Sequence, residues 1–205
     1  MRRLIASLWV VVALLAASDA RADDGRDATA LREDFEAYFA GERWAGLYAG
    51  GAGILFAGAG IGLVRKGNTF FRGAGWGLVV LGALQAVGGI GYRVVLSKTV
   101  PAHEGELDRD PATFHTAELA RMGGVVTRFN PIRRQDVVLA VIGAGVAAFG
   151  LASRRATWQG VGVSISLQAL ALLALEEVDY RRALRYQEQL VHLAGTGLER
   201  VFEAR

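Results

Sequence analysis

Residues 53–96 read GILFAGAGIGLVRKGNTFFRGAGWGLVVLGALQAVGGIGYRVVL, and a similar segment returns at residues 141–184 as VIGAGVAAFGLASRRATWQGVGVSISLQALALLALEEVDYRRAL. Offset by 88 positions without a gap, the two segments share eleven identical residues, whereas a chain this rich in Gly, Ala, Leu and Val gives roughly five by chance. Each copy is an apolar run, a short basic turn and a second apolar run that reaches a Tyr-Arg pair. We interpret this as a membrane helical hairpin used twice.

The composition favours a membrane protein over a soluble domain. Hydrophobic residues make up 52% of the chain and charged residues only 21%. The net charge of +3 comes with no basic block long enough for nucleic acid, so we expect no nucleic-acid partner. The absence of cysteine excludes disulfides, thiolate metal sites and cysteine nucleophiles.

The apolar runs predict an all-α, polytopic membrane protein with a four-transmembrane-helix bundle. Residues 45–96 form the first predicted hairpin and residues 137–175 the second. Residues 45–64 and 73–92 contain no Asp, Glu, Lys, Arg or His and are long enough to cross a hydrocarbon core of about 30 Å. Both turns are basic, at Arg65-Lys66 and Arg154-Arg155, which places them in the cytoplasm by the positive-inside rule.

The N-terminus has the three parts of a secretory signal within residues 1–22. These are Arg2-Arg3, an apolar core from Leu4 to Ala17, and Ala20-Arg21-Ala22 as a cleavage site. Cleavage would start the mature chain at Asp23, and the alternative is a retained anchor that forms a fifth span. Either way, this topology places the chain in the lipid bilayer of the bacterial inner membrane, with residues 23–44 and the C-terminus outside the cytoplasm.

Glycine pairs and two amides are the candidate packing residues inside the bilayer. Gly46 with Gly50, and Gly58 with Gly62, have the small-xxx-small spacing that lets helices approach closely, although a run so rich in glycine also produces such pairs by composition alone. Gln85 and Gln168 lie in the middle of predicted spans. We expect an interhelical hydrogen bond between them, with a narrow polar path for a neutral solute as the alternative.

The extramembrane elements carry two apolar stripes. Residues 23–44 predict a short amphipathic helix that ends at Gly41 and carries Leu31, Phe35 and Tyr38 on one face. Residues 176–205 predict a helical extension and tail with Tyr180, Leu184 and Val191 on one face. We call these two apolar faces the contact stripes. We expect them to pack against one another or against the equivalent surface of a partner.

The long segment 97–136 is expected to be an extracytoplasmic loop with one short helix. Asp110-Pro111 is a helix start, because Asp caps the helix and Pro suits its first position, and Gly123-Gly124 is a stop. Asn130-Pro131 is then the expected start of the third membrane helix.

The sequence contains few residues or motifs typical of catalytic or ligand-binding sites. The segment from His103 to Asp110 is acidic, but its spacing matches no zinc or calcium site, and no nucleophile elbow or phosphate-binding loop is present. We expect no catalytic residue, metal or cofactor. The favoured function is a non-enzymatic scaffold or accessory subunit with a protein partner or a homo-oligomeric state. The alternative is a small channel or carrier for a neutral solute.

Overall fold

A computed structural model describes residues 28–195, and this part of the chain consists of four helices. They are α1 (Ala28–Lys66), α2 (Thr69–Arg109), α3 (Pro111–Ala152) and α4 (Ala156–Gly195). At 1.5 Å per residue each helix is about 60 Å long, twice a hydrocarbon core of about 30 Å. All four are long and apolar enough to cross a membrane, so the predicted all-α chain with four such helices is confirmed. The proposed signal peptide, residues 1–22, and the tail from residue 196 lie outside the described residues.

Short polar turns join the helices. Asn68 caps α2, its side chain accepting from the amide of Phe71 at 3.1 Å. Asp110 caps α3, accepting from the amide of Thr113 at 3.1 Å, and Pro111 follows it, which confirms the helix start predicted at Asp110-Pro111. Between α3 and α4, Arg154 has φ 54°, the left-handed conformation that reverses the chain after a helix.

The helices continue through three other sites at which the sequence predicted a boundary. The expected stop at Gly41 is wrong, because the side chain of Arg182 packs against this glycine: a Cβ there would lie 2.6 Å from Arg182 Nε. The stop at Gly123-Gly124 and the start at Asn130-Pro131 are also wrong, since α3 runs unbroken through them. Met122, beside the glycine pair, is fully buried, and such tertiary contacts override a low local helix propensity.

The burial of side chains divides the molecule into two halves. We call residues 28–44, 93–109, 111–136 and 176–195 the charged half, and residues 45–92 and 137–175 the apolar half. The charged half has a buried apolar core of the kind found in water-soluble bundles. Its members come from all four helices: Leu31, Phe35, Tyr38, Phe39, Leu96, Val100, Leu107, Phe114, Met122, Ala183, Tyr186, Leu190 and Leu193.

The apolar half has the opposite arrangement. Its large hydrophobic side chains point outward, and Leu55, Val87 and Leu151 are each at least 70% exposed. Its interior is lined by small residues, with Gly73, Gly75, Gly77, Gly82 and Gly89 buried on α2. An apolar exterior of this extent suits a hydrocarbon environment rather than water.

The closest contacts of the apolar half follow one spatial order. Helix α1 packs on α2, α2 packs on α4, and α4 packs on α3. In the charged half α1 also closes onto α4 and α3, through Tyr38 on Tyr186 and Phe35 on Phe114. The four helices therefore form a compact bundle at one end and open toward the other.

Candidate functional site at the junction of the two halves

The glycines named from the sequence have two different environments. A Cβ at Gly46 would lie 3.2 Å from the carbonyl oxygen of Gly89, and one at Gly50 would lie 3.2 Å from the Ile90 side chain, so this pair faces α2. Gly58 and Gly62 have no atom of another residue within 4 Å of a Cβ position. The first pair therefore lies in a helix contact and the second on the outer surface of α1.

The tightest part of the α1–α2 contact uses glycines spaced by seven residues, which the sequence analysis did not single out. On α1 these are Gly46, Gly53 and Gly60, and on α2 they are Gly75, Gly82 and Gly89. A Cβ at Gly60 would lie 2.6 Å from the carbonyl oxygen of Gly75, and a Cβ at Gly75 would lie 2.6 Å from that of Gly60. A seven-residue repeat keeps one face in contact along two long helices, whereas a single four-residue pair serves one crossing point.

Gln85 and Gln168 meet as expected. The amide nitrogen of Gln168 donates to Oε1 of Gln85 at 3.1 Å, joining α2 to α4 within the apolar half. On one side of this pair Gly77 lies against the side chain of Ser164, and beyond it Gly160 contacts the backbone of Phe70. The two helices therefore approach closely on this side of the amide pair.

A cluster of ionisable groups lies where the two halves meet. The Tyr92 hydroxyl donates to Glu42, joining α2 to α1, and Arg182 of α4 lies 3.6 Å from the same carboxylate. Arg182 also pairs with Asp179 at 3.1 Å. Burial raises the pKa of Asp179 to about 6, and Arg182 opposes this rise. The cluster thus ties three helices together through buried charge.

A second cluster joins α3 to α4 at the same level. One carboxylate oxygen of Asp136 and one of Glu176 are buried with no hydrogen-bond donor. Burial, followed by the charge of Asp136, raises the pKa of Glu176 to about 7, and burial also raises the pKa of Asp136. Two facing carboxyl groups therefore share a proton near neutral pH. Arg133 beside them pairs with Glu177 and lies over the Tyr180 ring, 4.1 Å from its centroid.

The stripe predicted on α1 is buried, whereas the stripe predicted on α4 is not. Leu31, Phe35 and Tyr38 of α1 are all buried, and Tyr38 stacks on Tyr186 of α4, so the two ends of the described chain do pack together. The face of α4 is not the expected one. Val191 is 54% exposed, Tyr180 packs on Phe129 of α3, and Leu184 is only partly buried.

The residues of α4 that fill the core are Ala183, Tyr186, Leu190 and Leu193. Ala183 and Leu190 each lie one position before Leu184 and Val191 of the predicted stripe. One position on an α-helix is a rotation of about 100°, so the buried face of α4 is turned by that angle from the predicted face. Both registers carry large apolar residues, so helical periodicity alone does not choose between them.

Glu118 and His115 have polar partners inside the charged-half core. Glu118 has an almost completely buried carboxylate, and Arg121 donates to both of its oxygens at 2.6 Å. His115 lies 2.7 Å from the backbone carbonyl of Leu190, joining α3 to α4. Burial raises the pKa of the Tyr38 and Tyr186 hydroxyls well above the ordinary value, so both stay neutral. The His115 contact holds α3 and α4 in register.

The acidic segment around His103 is helical and offers no metal site. Its carboxylates point to different partners, with Glu104 toward Arg43 at 3.7 Å and Asp108 paired with Arg32. Across residues 28–195, no group of three or more potential ligands is close enough to hold a metal ion.

A groove opens between α2 and α3, with residues of α1 also in its lining, in the charged half at its border with the apolar half. Its volume is about 440 Å³, within the range typical of ligand pockets. It is lined by Tyr38, Phe39, Glu42, Tyr92, Val95, Leu96, Thr99, His103, Arg121, Val125, Arg128, Phe129 and Ile132. A smaller cleft of about 140 Å³ lies between α1 and α4, with Tyr48 and Leu175 among its lining residues.

Comparison of the chain with protein-family models, with curated proteins and with solved structures finds no match.

Proposed function

We propose that the chain is a non-enzymatic integral protein of the bacterial inner membrane that serves as a scaffold or accessory subunit of a membrane complex. The apolar half spans the bilayer as two tandem helical hairpins, and the charged half stands outside the cytoplasm. One observation supports the membrane placement. The charged half buries its large apolar side chains in a core, whereas the apolar half exposes them on its surface.

The orientation in the bilayer is supported by the charges at the helix ends. Arg65, Lys66 and Arg72 lie at one turn of the apolar half and Arg154 and Arg155 at the other, with no acidic residue beside them. Basic turns of this kind stay in the cytoplasm. The charged half, with its carboxylates, then lies on the opposite side together with both ends of the described chain.

The scaffold role is supported by how the molecule uses its polar groups. His115 with the Leu190 carbonyl, and Glu42 with Tyr92 and Arg182, join helices to one another. A rigid bundle of four long helices that projects about 30 Å from the bilayer offers an extended surface to a partner protein or to a second copy of the chain.

Single cysteines test the topology directly, because the natural chain has none. Cysteine at Gly67 should be protected from a membrane-impermeant maleimide in intact spheroplasts and labelled after lysis, and cysteine at Arg109 should be labelled in both. Labelling of both positions in intact cells would defeat the proposed orientation. Purification in mild detergent tests the scaffold role, and repeated recovery of this chain alone, as a monomer, would argue against it.

A channel or small carrier for a neutral solute is the second candidate, favoured by the Gln85–Gln168 pair inside the apolar half. Solute flux into liposomes that is lost in a Gln85→Leu, Gln168→Leu double variant would support it. Flux equal to that of empty liposomes would exclude it for the solutes tested.

A further inference from the structure

The groove between α2 and α3 combines an apolar wall with basic groups. Val95, Leu96, Val125, Phe129 and Ile132 supply the wall. Val95 is 55% exposed and Ile132 is 41% exposed, so the groove opens to the side along apolar side chains. Its lower end, at Tyr92 and Ile132, lies at the border with the apolar half, which is the bilayer surface if the proposed membrane placement is correct.

Two arginines line the groove above that apolar opening. Arg128 is exposed, and no described residue forms an ion pair with it. Arg121 is partly exposed and paired with Glu118, and it lies seven residues, about 10 Å, farther from the apolar half. The carboxylate in the lining, Glu42, is already engaged by Tyr92 and Arg182. Within residues 28–195, the positive charge of Arg128 therefore has no ion-pair partner.

The arrangement of groups in the groove favours a lipid over a protein helix. From Tyr92 to His103 the groove rises about 16 Å along α2. Its apolar wall reaches the border with the apolar half, and Arg128 supplies an exposed positive charge above that border. An acyl chain attached to an anionic headgroup matches this order of apolar and basic groups.

We propose that this groove binds one anionic phospholipid from the outer leaflet. The phosphate lies between Arg121 and Arg128, and one acyl chain runs down over Val125, Phe129 and Ile132 into the bilayer. The site is open toward the membrane and not enclosed, which lets the lipid enter sideways without leaving the bilayer completely. This inference rests on the proposed membrane placement.

Native mass spectrometry of the full chain tests the charge requirement. The protein is placed in nanodiscs that contain equal amounts of phosphatidylglycerol and phosphatidylcholine and is then released with its bound lipid. A basic residue near an anionic headgroup gives roughly a fivefold preference, so Arg128→Gln should lower the phosphatidylglycerol preference by about that factor. Arg109→Gln, at the far end of α2, should leave it unchanged. Equal loss in both variants, or no preference in the natural protein, would overturn the proposal.

Filling the groove tests the acyl position. Val125→Trp should reduce retained lipid severalfold, whereas Val191→Trp, on the exposed face of α4, should not. Circular dichroism shows whether Val125→Trp keeps its helices, and a photo-crosslinking side chain at Val95 gives a readout that does not depend on this variant. The expected adduct has the mass of one phospholipid, and an adduct with a polypeptide would overturn the lipid assignment in favour of a partner protein.

These results are separable from the membrane proposal. A chain that fails to enter nanodiscs contradicts both proposals. A chain that inserts with the expected cysteine labelling but shows no lipid preference contradicts only the lipid site.

Discussion

Tyr38 of α1 stacks on Tyr186 of α4, with ring centroids 4.5 Å apart and ring planes 9° from parallel. The two residues lie far apart in sequence, on the first and last described helices, and both are buried. Aromatic pairs of this kind contribute about 0.5–1.5 kcal/mol beyond the area that they bury. The contact closes the charged half and fixes the rotation of α4.

The register of α4 is tested by two neighbouring residues. Leu190 is fully buried and Val191 is 54% exposed. Leu190→Ala should lower the free energy of unfolding of the charged half by about 2–5 kcal/mol, and Val191→Ala should change it by no more than about 0.5 kcal/mol. Proteolysis of the extramembrane helices in right-side-out vesicles measures the difference. A larger cost for Val191→Ala than for Leu190→Ala would mean that α4 buries the face predicted from the sequence.

The glycine contact of the apolar half is tested by two positions on α1. A Cβ at Gly53 would overlap the backbone of Ala86, whereas one at Gly58 would meet nothing within 4 Å. Gly53→Ala should therefore cost about 1–3 kcal/mol, the range for overpacking a close contact. Gly58→Ala is the matched control and should be neutral. Thermal unfolding in detergent is the measurement, and equal tolerance at both positions would contradict the α1–α2 contact.

The stability of the charged half should fall as pH rises from about 4.5 through 7. Glu176 has a raised pKa of about 7, so the folded state binds its proton more tightly than the unfolded state does. The stabilisation of the folded state is complete below the ordinary pKa of a glutamate. It is lost with rising pH as the second carboxyl of the Asp136–Glu176 pair ionises. Arg133 opposes this effect and Asp179 adds to it.

Glu176→Gln isolates the contribution of that pair. The variant should flatten the fall between about pH 4.5 and 7 and leave a weaker fall that is complete near pH 6, where Asp179 beside Arg182 and Glu42 ionises. The melting temperature in detergent from pH 4.5 to 8 is the measurement. A natural protein that becomes more stable across this range would refute the shared proton.

The amide pair between α2 and α4 should stabilise the apolar half modestly. Hydrogen bonds between membrane helices contribute about 0.6–2 kcal/mol, so Gln85→Leu and Gln168→Leu should each cost about that much. The double variant should cost less than the sum of the two, because both single changes remove the same bond. Additive costs would mean that the two amides do not interact in the protein.

Local amino-acid patterns were enough to predict an all-α chain and the approximate positions of its apolar segments. Runs such as 45–64 and 73–92 lack Asp, Glu, Lys, Arg and His, and that property depends on composition alone. The helix start at Asp110-Pro111 was also predictable, because an N-cap and a proline at the first helical position act locally. The pairing of Gln85 with Gln168 followed from the scarcity of other polar groups within the predicted spans.

Packing between the helices sets where they continue and which faces they bury. Gly41 and Gly123-Gly124 are weak helix formers, but packing of Arg182 on the first and burial of Met122 beside the second keep α1 and α3 continuous. Helix α4 buries Leu190 rather than Val191 because of its packing against side chains of α1 and α3. Contacts between residues distant in sequence determine these features, and the periodicity of a single helix contains no information about them.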